Sequence, residues 1–540
     1  MLTELDQKNA RMTNQITKFR SSLCLAVLFL SFGTVLSSLN AQSVGLFEAS
    51  EKLTEEQQVF IKNTLSKKYY KDVKFVSTKD LMSMLKKRTI EFSLLGSKEI
   101  YKAENVSFGE VKSPYYDEIW MGNLSNGEIG NVLLIRKDQL LAGFIQTEKA
   151  FFSIVPTANN LAFLVEHEAD AYDTFECGFK DELSNLKTKV DPCKNPPGTC
   201  SVVIDVSVLL TDEAMEFLYE FPGASSNPFI PVLYTLVGLE ATNFALINSA
   251  VDNAWFRFTI ERFFFGYYST PKNIEFDING LATTEETLEV RNALGGDLVV
   301  LLTNQQYGNN QGIVDGIGPS EDNAYAIVEM ASLISPRWTF AHEVGHLMGA
   351  RHSRPGEFGG NDDTDVCSHG FAYDEGTLGL KRTLLAVFIG DVPEVPPGTG
   401  VLEFLPGGRL LNYSNPNVIV DGSPSGTEED DNARTIENTG CEVFMFRPSP
   451  VLNISLLAPD EVCMQDILMG SVVIFEPNES FPGQPPYTIN WNVSSSNTST
   501  VFIPIQVSYP QQITVTVTVV AADGLTLSRS KTVNIVDCEG

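Results

Sequence analysis

The stretch TFAHEVGHLMGARHSR, residues 339–354, holds three of the five histidines of a 540-residue chain: His342, His346 and His352. On a helix that turns about 100° per residue, positions four apart sit one turn above each other on the same face. His342 and His346 can then share one ion, and Glu343 stands beside the first ligand without being one. Gly349 permits a left-handed turn that ends the helix, so the chain can double back and bring His352 in as a third ligand. Three imidazoles leave the fourth position of a zinc ion open to water, as a catalytic site needs. The residues read as metal ligands around a water whose proton Glu343 takes and later gives to a leaving amine, the chemistry of peptide-bond hydrolysis. The plainer reading is a solvated helix that happens to carry imidazoles. It does not account for Gly349 and His352 at these offsets.

HEVGHLMGARH resembles the H-E-x-x-H-x-x-G-x-x-H motif of the metzincin zinc endopeptidases. Its flanks are similar to the reprolysin (adamalysin-like) branch: GGDLVVLLTN, GIVDGIG and AYAIVEMAS before it, RTLLA and YSNPNVIVDGSPSGTEEDDNARTI after it. The resemblance covers about 250 residues and implies an α/β catalytic domain, a mixed twisted sheet with a zinc-binding active-site helix. It also implies zinc as cofactor and proteins or peptides as substrates. The block DEIWMGNLSNGEIGNVLLIRKDQLLAGFI is similar to the propeptide of bacterial enzymes of this type. Two positions depart from the pattern. Leu385 stands where the family places a methionine in a turn beneath the metal, and the two side chains have nearly equal volume. Ser353 follows the third histidine, where reprolysins usually carry Asp and the matrixin branch does not.

Outward from the motif, composition sets the class. Hydrophobic content of 43% and charged content of 20% are those of a folded protein. A net charge of −30 argues against nucleic acid and anionic membranes as partners. Residues 198–446 hold 11 basic and 35 acidic side chains. Lys18 and Arg20 precede an apolar run, Leu23–Leu36, with the small Ala41 beyond it, the pattern of a signal peptide over 1–41. A run of fourteen residues is too short to span a bilayer, so no membrane span is expected and the chain reads as secreted.

Residues 42–190 alternate in short segments and read as a mostly β propeptide, with helices near 55–65 and 79–87. The Pro- and Gly-containing loop DPCKNPPGTC over 191–200 reads as a linker. Residues 201–447 alternate strands with helices, including helices over 231–253 and 284–293 and one opening near Pro336. AYAIVEMA, 324–331, is expected as the strand bordering the cleft, where an extended substrate could add to the sheet. Residues 448–540, with strict Thr/Val alternation over 511–520 and Trp491, read as an immunoglobulin-like β-sandwich that could bind protein, polysaccharide or a cell surface.

Without Cys24 of the leader, seven cysteines remain, an odd number. Cys463 and Cys538 could pin the two ends of the sandwich, and Cys193 with Cys200 could close the KNPPGT loop. The family resemblance implies Cys367 with Cys441. Cys177, in TFECGF, is then left over. By the same resemblance it would fill the open zinc position and hold the enzyme latent, and the alternative is a bond to Cys193 or Cys200. His369 and His167 read as structural. The acidic loop 359–366 offers oxygen ligands for calcium, but its spacing fits no defined loop, and a solvated charge run is the simpler reading. The rival to a protease is a secreted adhesion or matrix-binding protein with a silent scaffold, which would have no chemical need for Glu343.

Overall fold

The structure is a computed structural model. It describes residues 48–49, 53–94, 99–106, 115–125, 128–158, 160–168, 176–179, 200–354, 367–374, 380–386, 409–447, 453–458, 461–463, 467–475, 487–495, 497–504, 512–522 and 526–536. The leader, Cys193, Cys538 and the acidic loop 359–366 lie outside the described residues.

Nine strands between Glu48–Ala49 and Leu161–His167 form one antiparallel sheet. Its alternation is visible in Val132-Leu133-Leu134-Ile135. Leu133 and Ile135 face one apolar cluster and Val132 and Leu134 another, as the two-residue period of a strand requires. Helix Glu55–Leu65 opens on a capping box between Thr54 and Gln57 and lies along the sheet's second strand. His167 is buried, bonded to Ser153 Oγ at 2.9 Å and edge-on to Phe151, a structural histidine.

The central region is a mixed sheet of β1 (Glu176–Phe179), β2 (Cys200–Leu210), β3 (Ala254–Arg262), β4 (Leu298–Thr303), β5 (Asn310–Val314) and β6 (Tyr325–Glu329). Its order is β1-β5-β6-β4-β2-β3. Strands β2, β3, β4 and β6 run parallel, and β5 runs against β6. The longer helices of this region are α1 (Phe229–Asn248), α2 (Ile274–Thr283), α3 (Glu285–Leu294), α4 (Thr339–Leu347) and α5 (Asn432–Val443), and shorter ones span Asp212–Tyr219 and Met330–Leu333.

Here the structure corrects the sequence reading. The AYAIVEMA segment forms interior strand β6, between β4 and β5; β5 lies beside the active-site helix, and β1 is the outermost strand on that side. All five β6 residues are buried, and a strand covered on both faces carries an unbroken apolar run of this kind. Helix α1 stops at Asn248 rather than Asn253, where Ser249 Oγ turns back onto the Ala245 carbonyl and Ala250 takes a positive φ. Helix α2, capped by the Asn273 side chain, was not foreseen.

Helix α1 is apolar on every side, long enough and apolar enough by composition to cross a bilayer. In the fold it is buried between two protein surfaces. One side meets the N-terminal strands Asn131–Lys137, Leu140–Gln146 and Phe151–Ala158, and the other meets α4 and β3. A helix without a polar face needs such double cover.

After α5 the chain builds two more sheets. Strands Asn453–Leu457, Ile467–Phe475 and Thr500–Pro504 continue the start of β2, with Cys200 opposite Leu457 and Ser201 opposite Leu456. Strands Glu461–Cys463, Thr526–Val536, Gln512–Val520 and Thr488–Trp491 form the second sheet. Val515, Val517 and Val519 point into an apolar core shared by both sheets and Trp491. The intervening Thr514, Thr516 and Thr518 point outward and bond Thr532, Ser530 and Ser528 across the pair.

Glu240 lies midway along α1, where Tyr116 of the N-terminal sheet donates to it at 3.2 Å and Asn243 at 2.9 Å. Burial pushes its carboxyl up from 4.5 to about 7. The folded state therefore holds this proton more tightly than the unfolded chain. Its contribution is complete below pH 4.5 and is lost as pH rises through about 7, at up to about 1.4 kcal/mol per pH unit. Glu240→Gln should flatten that part of the stability profile, read from urea midpoints at pH 5 and pH 8. An equal fall in midpoint for both proteins would contradict the assignment.

Candidate metal centre

Helix α4 begins after Trp338, whose φ of 55° puts it in the left-handed region. Its ring is held by Phe144 at 4.6 Å and Phe151 at 5.2 Å, both from the N-terminal sheet. This cap explains why the helix opens at Thr339 rather than near Pro336. At the other end, Gly349 has φ 92°, its N–H donates to the His346 carbonyl, and the Ala350 N–H donates to the Gly345 carbonyl. This pair of bonds is a Schellman close, which needs a left-handed residue at that position.

The turn aims His352 back at the helix. The three Nε2 atoms of His342, His346 and His352 form a triangle with sides of 3.1, 3.0 and 3.1 Å. Nitrogens so spaced suit one ion at about 2.0–2.1 Å from each, the Zn–N distance, and all three side chains are buried. The opposite ring nitrogens fix the tautomer. His342 Nδ1 donates to the Leu384 carbonyl at 2.7 Å and His346 Nδ1 to the Ala350 carbonyl at 2.8 Å, which leaves each Nε2 a lone pair for metal. Burial holds His342 well below its ordinary range, and the Arg409 guanidinium, with Nη1 at 3.2 Å, adds to the effect. A neutral imidazole is the form that binds zinc.

Glu343 is fully buried. A Cβ at Gly312 would lie 2.4 Å from Glu343 Oε1, so the carboxylate rests directly against the β5 backbone. Leu385 lies under the helix at Gly345, completely buried and joined there by Tyr413, whose hydroxyl donates to the Ala341 carbonyl. Both side chains pack the face of the helix that Gly345 leaves open. His369 donates from Nδ1 to the His352 carbonyl at 2.7 Å, a supporting role.

Two positions escaped the sequence reading. Gly312 gives Glu343 its space. Asn432, at the start of α5, clamps the backbone before His352: its Oδ1 accepts from Arg351 N at 3.0 Å and its Nδ2 donates to Arg351 O at 3.1 Å. DDNAR was visible as part of the family-like stretch, but nothing local said that its amide would reach 81 residues back.

Cys177 lies in β1, which pairs in parallel with β5 and sets Cys177 opposite Gly312. Cys367, Cys441 and Cys463 are disulfide-bonded, which is compatible with the Cys367–Cys441 and Cys463–Cys538 pairs.

Residues 263–353 match the profile of the metallopeptidase family M12B, reprolysin-like. A peptidyl-Asp metalloendopeptidase of Stenotrophomonas maltophilia is 23% identical over 392 residues, 66% of this chain and 83% of the relative. One of Xanthomonas campestris is 25% identical over 366 residues, 61% of this chain and 76% of the relative. A solved chaperone–substrate complex matches 46% of this chain and 36% of its own at 18% identity, with a TM-score of 0.32. That last likeness is too distant to inform the fold.

Gly349→Ala forces a Cβ into the left-handed region and to 3.2 Å from Thr435 Cγ2. It should lower stability by about 1–2 kcal/mol and weaken zinc binding by loosening His352. Urea midpoints and competition with a chromogenic chelator would measure both, and zinc affinity unchanged from wild type would show that the turn does not aim the ligand.

Proposed function

Because this chain carries a reprolysin-like zinc metallopeptidase domain, we propose that it is a secreted endopeptidase, made as a zymogen, in which His342, His346 and His352 hold zinc and Glu343 carries the proton. The nitrogen triangle, with Glu343 next in sequence to its first corner, is the observation that supports this most directly. When bound, zinc supplies a Lewis acid that polarises the scissile carbonyl and acidifies water. Glu343 accepts the proton of the attacking water and passes it to the amine as the C–N bond breaks. Its burial against Gly312 restricts the room in which the carboxylate can move. Leu385 and Tyr413 keep the underside of the helix packed and dry.

The relatives' names suggest a substrate class, peptide bonds beside aspartate. The buried guanidiniums of Arg337, Arg382 and Arg409 run along the segments around His342, with Arg409 Nη1 bonded to the Arg337 carbonyl. Positive charge in a low-dielectric wall favours an acidic side chain nearby. Secretion rests on the leader pattern, and the C-terminal pair of sheets is read as an immunoglobulin-like accessory domain that binds a protein, polysaccharide or cell surface.

Latency would come from β1. It covers the outer edge of β5, the edge an extended substrate would otherwise join, and its register sets Cys177 opposite Gly312, the residue that abuts Glu343. A thiolate there is a strong zinc ligand.

Glu343→Gln should keep its zinc and lose about 10²–10⁴-fold in hydrolysis, measured on paired peptides with Asp or Asn at one position, and the wild type should prefer Asp. Full activity in the Gln variant would remove the carboxylate from the mechanism. In the uncut chain, Cys177→Ser should raise peptide hydrolysis several-fold above the parent, and activity equal to the parent's would end the thiol's part in latency.

A further inference from the structure

A propeptide that leaves after cleavage must have a surface it can leave from. Among the described residues, the N-terminal sheet instead shares its buried apolar face with the catalytic core. Phe60, Val73, Phe75, Leu133, Ile135 and Phe144 belong to the same apolar cluster as helix α1, the inner face of the central sheet and α4. Phe144 packs on Phe244 of α1 at 6.4 Å and on Trp338, the cap of the zinc helix, at 4.6 Å. Phe60 meets Phe221 edge-on at 5.9 Å.

Polar contacts close the same seam. Tyr116 donates to Glu240, Asn123 to Asn248, and Gln146 to the Arg409 carbonyl at 3.1 Å. Arg409 in turn touches His342. The sheet thus supports the metal ligands through Trp338 and through Arg409. Removing it would expose a 20-residue helix with no polar face, a surface that behaves like half of a domain core.

We infer that the nine-stranded sheet stays seated on α1 as a permanent part of the catalytic unit, and that maturation removes only β1 and the chain around it. This rests on the zymogen reading above for its second half alone. A chain-order consequence follows. A cut in 180–199 leaves β1 attached to the retained sheet, so freeing the β5 edge requires a second cut between His167 and Glu176.

The test uses the full chain with recognition sequences for an unrelated site-specific protease inserted within 187–191, within 169–174, or at both. Elution and zinc content of each uncut protein, matched to the parent, establish that the insertions are tolerated. After the 187–191 cut the two fragments should co-elute in native buffer and separate only in denaturant. After both cuts the sheet should still co-elute with the catalytic fragment, and the peptide containing Glu176–Phe179 should be lost. A zinc-chelating hydroxamate should then bind at least tenfold tighter than to the singly cut protein. An N-terminal fragment that elutes by itself in native buffer overturns the retention. Hydroxamate binding gained after the 187–191 cut alone overturns the two-cut requirement. Co-elution with hydroxamate binding identical in cut and uncut chains would sink the zymogen reading and leave the retained sheet standing.

Discussion

Three neutral imidazoles must bring their lone pairs to within about 3 Å of one another, and most of this architecture follows from that requirement. Like dipoles do not gather unaided in a buried space. Each ring is held from behind: His342 by the Leu384 carbonyl, His346 by the Ala350 carbonyl, and the His352 backbone by His369 and the Asn432 clamp. Those supports come from segments far apart in the chain. The site exists only once β5, the turn at Gly349, the Leu384–Leu385 floor and the start of α5 have all packed around α4.

Acidity sets a second condition. In a protein with a net charge of −30, the neighbourhood of the ligands is locally basic, with Arg337, Arg382 and Arg409 buried close by. Positive charge near His342 opposes its protonation and so keeps the apo site ready for metal. The same charge would repel a dication, and Glu343, buried next in sequence to His342, carries the opposite charge.

The metal ligands were legible in the sequence because they obey local geometry: i, i+4 on a helix, then a glycine, then a return. That Leu385 is buried was legible from its apolar frame, and the structure packs it against Gly345. What could not be read was anything decided by pairing between distant strands. AYAIVEMA shows an apolar run that suits an edge or an interior strand equally well, and only the antiparallel return of β5 made it interior. Gly312 looked like one glycine among 40, since its role depends on a carboxylate approaching from another element. The relation of the N-terminal sheet to the rest was hidden for a similar reason. Its strands alternate correctly, but alternation does not say what lies against the buried face.

Strand β2 belongs to two bodies at once. Its first residues are laced to the C-terminal sheets and its remainder forms the middle of the central sheet. Eleven extended residues make a beam of about 36 Å, without a flexible tether between its ends. The orientation of the C-terminal body is therefore dictated by main-chain register. Anything gripping that body would also fix the compass bearing of the cleft.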